Sequence, residues 1–267
     1  MIILKNKRIF LLSLVFVMVI NISANGQADE SQGKPDYQPQ SNLFSLGAGM
    51  VITQDPYKGV DTKVRGLPFF LYKTKRLTVY GPMLSYLLYK HKDWELDIDG
   101  KLRFEGYEED DSSFLEGMDD RNWTMELGGS ISKTLSIGKI TSNASADILN
   151  EHKGYELGLS YSYDFRKALG NPSLTMTPGI GFSYRSSQLN DYYYGVRASE
   201  AIAGRPEYKV GDSVGLTAGI RLNYIYSDRV SFMGMMSFEW LGDEIRNSPI
   251  VEEDYLETFI LGIMYRF

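Results

Sequence analysis

The stretch WELDIDGKLRF, Trp94 to Phe104, alternates between two kinds of side chain without interruption. One phase is apolar, with Gly100 completing it, and the other phase is charged at every position. Successive side chains of a β-strand point to opposite faces, so this two-residue period predicts a strand with one apolar face and one fully ionised face.

The same period recurs along most of the chain, and no segment is typical of a helix of three turns. The candidate strands are 43–52, 64–73, 76–89, 94–105, 122–132, 135–149, 154–165, 173–186, 213–226, 229–242 and 256–267. Many are longer than the ~5–6 residues usual in soluble sheets and match the ~9–11 of a membrane strand. Aromatic residues such as Tyr155, Phe165 and Trp240 gather at strand ends, as in aromatic girdles. The pattern therefore predicts a transmembrane antiparallel up-and-down β-barrel rather than a soluble β-sandwich.

The number of strands can be predicted from parity, because single-chain bacterial barrels have an even number. If the last strand runs towards the periplasm, long connections fall outside and the short turns near 133 and 227 fall inside, as expected. The alternation is poorest before residue 94, where LPFFLYK and MLSYLLYK are apolar in both phases. We therefore expect twelve strands, with one further strand within 53–93, and ten strands as the alternative.

The N-terminal segment predicts export. A basic segment from Lys5 to Arg8 precedes a short apolar run over 9–20, and small residues follow. This order is typical of a secretory signal peptide, with cleavage after Ala24 or Ala28, and an N-terminal membrane anchor is the alternative. The expected organisation is a signal peptide over 1–28, a flexible polar lead-in over 29–41 and an outer-membrane barrel over 42–267.

Composition restricts the chemistry. The 267 residues include no Cys, which excludes thiolate chemistry and cysteine-based metal sites, and a net charge of -6 disfavours a nucleic-acid partner. His91 and His152 each lie in a predicted turn, where a solvated side chain is expected, and there is no G-x-S-x-G motif. We expect no catalytic residues, no metal and no cofactor.

The chain closes with TFILGIMYRF, in which Tyr265 and Phe267 share one face of the last predicted strand. A terminal Phe with a Tyr two residues before it resembles the insertion signal of bacterial outer-membrane barrels. The resemblance implies the cell outer membrane as location. It also implies outer-membrane lipid, lipopolysaccharide and the barrel-assembly machinery as partners.

Three loop motifs occur in order: DPYKGVD (Asp55 to Asp61), DYYYGV (Asp191 to Val196) and NSPIV (Asn247 to Val251). Together with the closing GIMYRF, they resemble the MipA/OmpV family, the MltA-interacting scaffold proteins of the Gram-negative outer membrane, over Leu43 to Phe267. The motif residues singled out are Tyr192, Tyr193, Tyr194, Gly195, Val196, Asn247, Ser248 and Pro249.

The resemblance implies an outer-membrane barrel with a scaffold or envelope-maintenance role. Its implied partners are periplasmic cell-wall enzymes, since some members are similar to scaffolds that link a lytic transglycosylase to a peptidoglycan synthase. A small porin-like channel for polar or cationic solutes is the alternative. Tyr192 to Tyr194 either form an extracellular contact surface or fold their loop into the barrel mouth, and we favour the second.

Charged residues on the polar phase of several predicted strands are expected to share the barrel lumen. They are Glu95, Asp97, Asp99, Lys101, Arg103, Glu105, Glu126, Arg185, Arg221 and Glu239. They can line an acidic path that favours cations, or pair with one another and fill the lumen. Both signs occur on the 94–105 strand, which favours a filled and locked interior.

Overall fold

A computed structural model describes residues 42–267, so the predicted signal peptide and lead-in lie outside the described residues. The strands are β1 Leu43–Gln54, β2 Lys63–Lys73, β3 Leu77–Tyr80, β4 Met83–His91, β5 Trp94–Arg103, β6 Thr124–Leu135, β7 Gly138–Asp147, β8 Tyr155–Ser162, β9 Phe165–Arg166, β10 Leu174–Arg185, β11 Ser213–Ile225, β12 Val230–Trp240 and β13 Tyr255–Arg266. Two short helices, α1 Ser187–Tyr194 and α2 Asp243–Arg246, lie in connections between strands. No helix within 42–267 is long and apolar enough to cross a membrane.

The strands form one closed antiparallel sheet. Each strand pairs with the next along the chain, except that β8 pairs with β10, and β1 pairs with β13, with Ser45 opposite Arg266. The two-residue β9 pairs only with β10, beyond the end of β8, and so prolongs β8. With β8 and β9 counted as one, the barrel therefore has twelve strands, and the predicted fold and strand number are confirmed.

The two phases of each strand face opposite environments. On β8, Leu159 on the outer face is 50% exposed, whereas Glu156 on the inner face is only 5% exposed. In a soluble protein the apolar side chain would be buried and the charged side chain exposed. An exposed apolar face and a buried charged face are expected for a barrel whose outer face contacts lipid and whose lumen holds the polar side chains.

The twelfth strand comes from the predicted segment 76–89, which is divided into β3 and β4 by a tight turn at Gly81 and Pro82. Gly81 has a φ of +52°, which favours glycine. Because β3 has only four residues, it pairs only with Leu71–Lys73 at the end of β2. In the described part of the chain, no strand pairs with residues 63–69 on the side away from β1. Pro68 fits this part of β2, since proline cannot donate a ladder hydrogen bond.

Several predicted strand boundaries are wrong by two or three residues, among them those of β5, β6 and β7. The turn expected near Lys133 lies at Ser136 and Ile137, because β6 continues to Leu135. The strand predicted to reach residue 105 ends at Arg103. Phe104, predicted to face lipid, is 5% exposed, because it follows the last residue of β5 rather than continuing the outer face.

Candidate functional site: the lumen and its loop cap

An ion-paired cluster crosses the lumen beneath the long loops. We call it the charge network, and its members are Lys101, Arg103, Glu105, Glu126, His152, Glu156, Arg185 and Glu239. Arg103 is its centre. The Arg103 guanidinium donates from Nε to Glu126 Oε1 (2.5 Å), from Nη1 to Glu105 Oε2 (2.6 Å) and from Nη2 to Glu156 Oε2 (2.8 Å).

Arg185 extends the charge network to the far wall. Its Nη1 lies 3.0 Å from Glu105 Oε1 and its Nη2 lies 2.6 Å from Glu239 Oε1. Lys101 Nζ adds contacts to Glu126 (2.9 Å) and Glu156 (3.1 Å). The connected pairs therefore run from β5 to β12, across the interior of the barrel.

Strand register brings these charges together. Lys101 on β5 is directly opposite Glu126 on β6, and Arg185 on β10 is directly opposite Glu156 on β8. All these side chains are at least 88% buried. Removing ions from water costs several kcal/mol each, so such a cluster persists only because each charge finds partners within hydrogen-bond distance.

His152 is placed differently from the sequence prediction. It was expected to be solvated in a turn, but its side chain is fully buried beneath the loops. Its Nδ1 lies 3.0 Å from the Gly154 nitrogen, and its Nε2 lies 3.1 Å from Glu126 Oε1. A backbone N–H can only donate, so His152 Nδ1 accepts from Gly154, and Nε2 faces the Glu126 carboxylate.

The predicted lumen residues divide into two groups. Lys101, Arg103, Glu105, Glu126, Arg185 and Glu239 belong to the charge network. The remaining four lie elsewhere in the lumen. Glu95 pairs with Lys90 and Lys139, Asp99 accepts from Ser130, Asp97 lies between them on β5, and Arg221 lies on β11 opposite Thr177.

Sequence reasoning missed Glu156 as a network member. The signal was present, since Glu156 occupies the polar phase of the strand at 155–162. Nothing in the sequence gives its register relative to Arg103, however. That register depends on β6 and β7, which separate the two strands in the sheet.

Above the charge network, the outer loops fold inwards and pack together. We call this hydrophobic cluster the loop cap. Its buried members are Tyr57, Tyr107, Leu115, Met118, Leu189, Tyr193, Tyr194, Val196, Val210, Leu241, Ile245, Ile250, Val251 and Leu256. Apolar burial of this extent gives loops the packing of a small protein core, so the mouth of the barrel is covered.

The three loop motifs meet inside the loop cap. The ring of Tyr57 stacks on Tyr194 at 5.7 Å between centroids, and the Ser248 hydroxyl donates to the Tyr194 carbonyl oxygen at 2.6 Å. Lys58 N–H donates to the Ile250 carbonyl oxygen at 2.9 Å. Residues far apart in the chain therefore form one contact, which accounts for their occurrence as an ordered set.

The tyrosine run faces inwards. Tyr193 and Tyr194 are completely buried, and Tyr192 is half-buried against Tyr193. The Tyr194 hydroxyl donates to Glu105 Oε1 at 2.5 Å, which joins the loop cap to the charge network. Burial raises the pKa of Tyr194 well above its usual value, so this hydroxyl keeps its proton at neutral pH.

A second ion pair, which the sequence analysis missed, holds the loop cap together. Arg121 Nη2 lies 2.9 Å from both oxygens of Glu200, and Arg121 Nε donates to the Tyr192 carbonyl oxygen at 2.6 Å. Burial alone would raise the pKa of Glu200. The N–H groups of Arg197 and Asp119, together with Arg121, nevertheless hold that pKa below its usual value. Within residues 42–267 there is no group of three or more His, Asp or Glu side chains arranged to hold a metal ion.

Known proteins resemble this chain over most of its length. A family model described as "MltA-interacting protein MipA" matches residues 46–267. The MltA-interacting protein of Escherichia coli K12 is 30% identical over 228 residues, covering 84% of this chain and 90% of that protein. Outer membrane protein OmpV of Vibrio cholerae is 31% identical over 209 residues, covering 70% and 79%.

Two further similarities are partial or distant. Outer membrane protein Omp26La of Vibrio anguillarum is 36% identical over 146 residues, a match that spans only 55% of each protein. Among solved structures, an outer membrane channel from Pseudomonas putida F1 superposes with a TM-score of 0.46 at 12% identity, covering 90% of this chain and all of that one. The match to the family over residues 46–267 and the relatives named as outer membrane proteins lead to one conclusion: this chain belongs to the MltA-interacting protein MipA family and is an outer-membrane β-barrel.

Proposed function

We propose that the protein is a non-enzymatic scaffold of the outer membrane, which holds periplasmic cell-wall enzymes and maintains the envelope. The observation that carries the proposal is the double closure of the barrel. The loop cap covers the mouth, and the charge network crosses the lumen directly below it. A barrel closed in this way serves as a rigid membrane anchor, and the name of the Escherichia coli relative, MltA-interacting protein, points to a partner of that kind.

The surface that we propose for the partner is the rim opposite the long loops. The connection between β8 and β10 is the longest on that rim, and it carries Leu169. Leu169 is 90% exposed and has a φ of +54°, in a turn between Lys167 and Gly170. Because this large aliphatic side chain is held outwards in an unfavourable backbone conformation, we propose it as the contact residue.

Binding to cell-wall enzymes tests the scaffold role. We expect the purified barrel, immobilised in detergent, to retain a lytic transglycosylase and a peptidoglycan synthase from the same bacterium. Leu169→Asp should weaken retention at least tenfold. The matched control is Ile202→Asp, which changes a 59% exposed aliphatic residue on the opposite rim and should retain both enzymes. Equal retention by the two variants would reject Leu169 as the contact, and no retention by the unchanged protein would reject the scaffold role.

Conductance tests the channel alternative. The lower lumen carries Asp97 and Asp99, whose charges would favour cations if a path were open. Because the charge network and the loop cap lie above them, we expect no steady conductance steps in a planar bilayer. Steady cation-selective steps from the unchanged protein would overturn the closed scaffold.

Assembly into the membrane is a separate part of the proposal. Tyr265 and Phe267 lie on the outer face, 40% and 72% exposed, with their rings 5.1 Å apart. Exposed in this way, both rings are available to the barrel-assembly machinery. We expect Phe267→Ala to reduce the amount of heat-modifiable, folded protein in outer membranes. An unchanged amount would contradict this role.

A further inference from the structure

The half of the lumen that lies away from the loop cap is less tightly filled than the half beneath it. Asp97 and Asp99 face inwards on β5 and are still partly exposed, whereas Glu126 and Glu156 of the charge network are buried. Exposure rises further towards the rim opposite the loop cap, where the Lys90 side chain is 50% exposed. Inward-facing side chains stay accessible only where the lumen leaves room beside them. We call this part of the lumen the vestibule.

Cations outnumber carboxylates among the inward-facing residues of the vestibule. The cations are Lys73, Lys90, Lys139, Arg166, Arg221 and Arg266. The carboxylates are Glu95, Asp97, Asp99 and Asp164. Glu95 is shared by two of the lysines, and Asp164 accepts from Thr177, which is directly opposite Arg221. The vestibule therefore carries an excess of two positive charges.

The turns of the same rim have the same sign. Their cations are Lys75, Arg76, Lys92, Lys167 and Arg229. Their anions are Asp93, Asp228 and the terminal carboxylate of Phe267. Positive charge therefore surrounds the entrance to the vestibule as well as its walls, and it attracts an acidic segment to this end of the barrel.

The predicted lead-in, DESQGKPDYQPQS over 29–41, carries the opposite charge. It contains Asp29, Glu30 and Asp36 against Lys34. Its side chains thus have two excess negative charges, and one excess charge remains when a new amino terminus formed by cleavage after Ala28 is counted. The lead-in and the vestibule are therefore complementary in charge.

The lead-in is attached where it can enter the vestibule. It joins the described chain at Asn42, directly before β1, and Leu43 at the start of β1 is directly opposite Lys73. Thirteen extended residues reach at most about 43–47 Å. The vestibule, measured along β5 from Glu95 to Lys101, is only about 20 Å deep at the rise of a strand. The attachment also keeps the segment at a local concentration of the order of millimolar.

We infer that residues 29–41 of the mature protein fold back into the vestibule and plug it, with their carboxylates against its cations. The composition of the segment suits this place, because its side chains are polar or small apart from Tyr37 and the two prolines. Pro35 and Pro39 favour an extended backbone, which crosses a narrow lumen more easily than a compact one. The plug closes the end of the lumen that the loop cap leaves uncovered.

Cysteine accessibility tests the plug, because the chain has no Cys of its own. Gln32→Cys is introduced into the full mature protein, which is refolded in detergent at low salt. The rate of its reaction with a large, membrane-impermeant maleimide is then measured. We expect a rate at least tenfold lower than in a variant that also carries Asp29→Lys, Glu30→Lys and Asp36→Lys. The difference should largely disappear in 1 M salt, where charges are screened beyond about 3 Å.

Variants of the barrel locate the contact. Lys73→Gln and Arg221→Gln each remove a cation from the vestibule and should raise the reaction rate about threefold. The matched control is Lys133→Gln. Lys133 lies near the same rim but faces outwards, with its Nζ 4.9 Å from the centroid of the Trp94 ring, and its loss should leave the rate unchanged. An equal increase in all three variants would mean that the rim as a whole attracts the segment, and would reject the vestibule as its site.

Disulfide trapping gives an independent test of depth. Asn143 faces inwards on β7, four residues from Lys139 and therefore about 13 Å further into the lumen. Gln32→Cys combined with Asn143→Cys should form a disulfide under mild oxidation. The control combines Gln32→Cys with Ser142→Cys, whose exposed side chain faces outwards, and should form none.

One combined result would overturn the proposal. If Gln32→Cys reacts as fast as in the charge-reversed variant, and no disulfide forms with Asn143→Cys, residues 29–41 lie outside the lumen. The vestibule would then be left for an acidic segment of another protein.

Discussion

The two walls of the upper lumen differ in how their polar groups are satisfied. On the wall from β5 to β10, side chains of opposite sign contact one another directly, as Arg103 contacts Glu105, Glu126 and Glu156. On the hydroxyl wall, formed by β1, β13, β12, β11 and part of β10, five buried hydroxyls have no protein partner among the described residues: those of Thr53, Ser183, Thr217, Ser237 and Thr258. The first wall fixes the closed shape through its own contacts. On the second wall, these five hydroxyl groups add no hydrogen bonds that hold the closed shape.

The comparison shows why closure of the lumen is asymmetric. Long charged side chains on β5, β6 and β8 reach across the barrel, whereas the opposite wall carries small residues that leave room for them. A mutation on the charged wall should therefore affect folding. A mutation of similar size on the hydroxyl wall should cost less stability, because these hydroxyls make no hydrogen bond that can be lost.

The largest effect is expected from Arg103→Met. The substitution leaves Glu105, Glu126 and Glu156 without their central cation, and breaking a buried ion pair by removing one partner costs about 3–5 kcal/mol. The free energy of unfolding in urea, with the protein in detergent, should fall by this amount. Lys90→Met is the control, since Lys90 is a half-exposed ion-pair partner and its loss should cost little. A loss below about 1 kcal/mol for Arg103→Met would show that the network contributes little to stability.

A smaller effect is expected from Tyr194→Phe, which tests the link between the charge network and the loop cap. The change removes only the hydroxyl that donates to Glu105, and leaving that carboxylate short of a donor costs about 1–3 kcal/mol. The loops at 186–212 and 241–254 should be cleaved faster by protease. Tyr208→Phe removes a hydroxyl on an exposed carbonyl contact and serves as control. Equal cleavage of the two variants would contradict the link.

A pH change should loosen the loop cap without opening the charged wall. The pKa of Glu200 is lower in the folded protein than its unfolded value of about 4.3, so the Arg121 pair contributes fully above that pH. Its contribution is lost as pH falls through the folded pKa. Protease cleavage of the loops at 104–123 and 186–212 should therefore stay constant from pH 6 to about pH 4.3 and rise as the pH falls further, through the folded pKa of Glu200. In Glu200→Gln, cleavage should already be fast at pH 6 and change little.

The smallest effect on stability is expected from Thr258→Val. This hydroxyl has no partner in the described chain, so replacing it by a methyl group should change the free energy of unfolding by less than about 0.5 kcal/mol. Ser145→Ala makes the matched change on the charged wall. The Ser145 hydroxyl donates to Glu126 Oε2 at 2.8 Å, and its loss should cost about 1–2 kcal/mol. Equal costs would remove the distinction between the two walls.

The alternation of side chains determined the barrel. Segments such as Trp94–Arg103 and Tyr155–Ser162 have a period of two that only a strand satisfies, and their length and aromatic ends favour lipid over a second sheet. Parity then located the missing strand before residue 94, where β3 and β4 lie. These features depend only on neighbouring residues and on a count of strands, so they can be predicted from the sequence alone.

Only the tertiary structure decided which charges meet. The sequence placed Glu95 and Arg103 on one lumen face, yet Glu95 contacts Lys139 while Arg103 contacts Glu156. The buried His152 and the pairing of Arg121 with Glu200 also followed from loop packing. The physical reason is that partner choice depends on strand tilt, on register summed over several strands and on the path of the loops. A two-residue period fixes which way a side chain points, and it carries no information on the height at which that side chain meets the opposite wall.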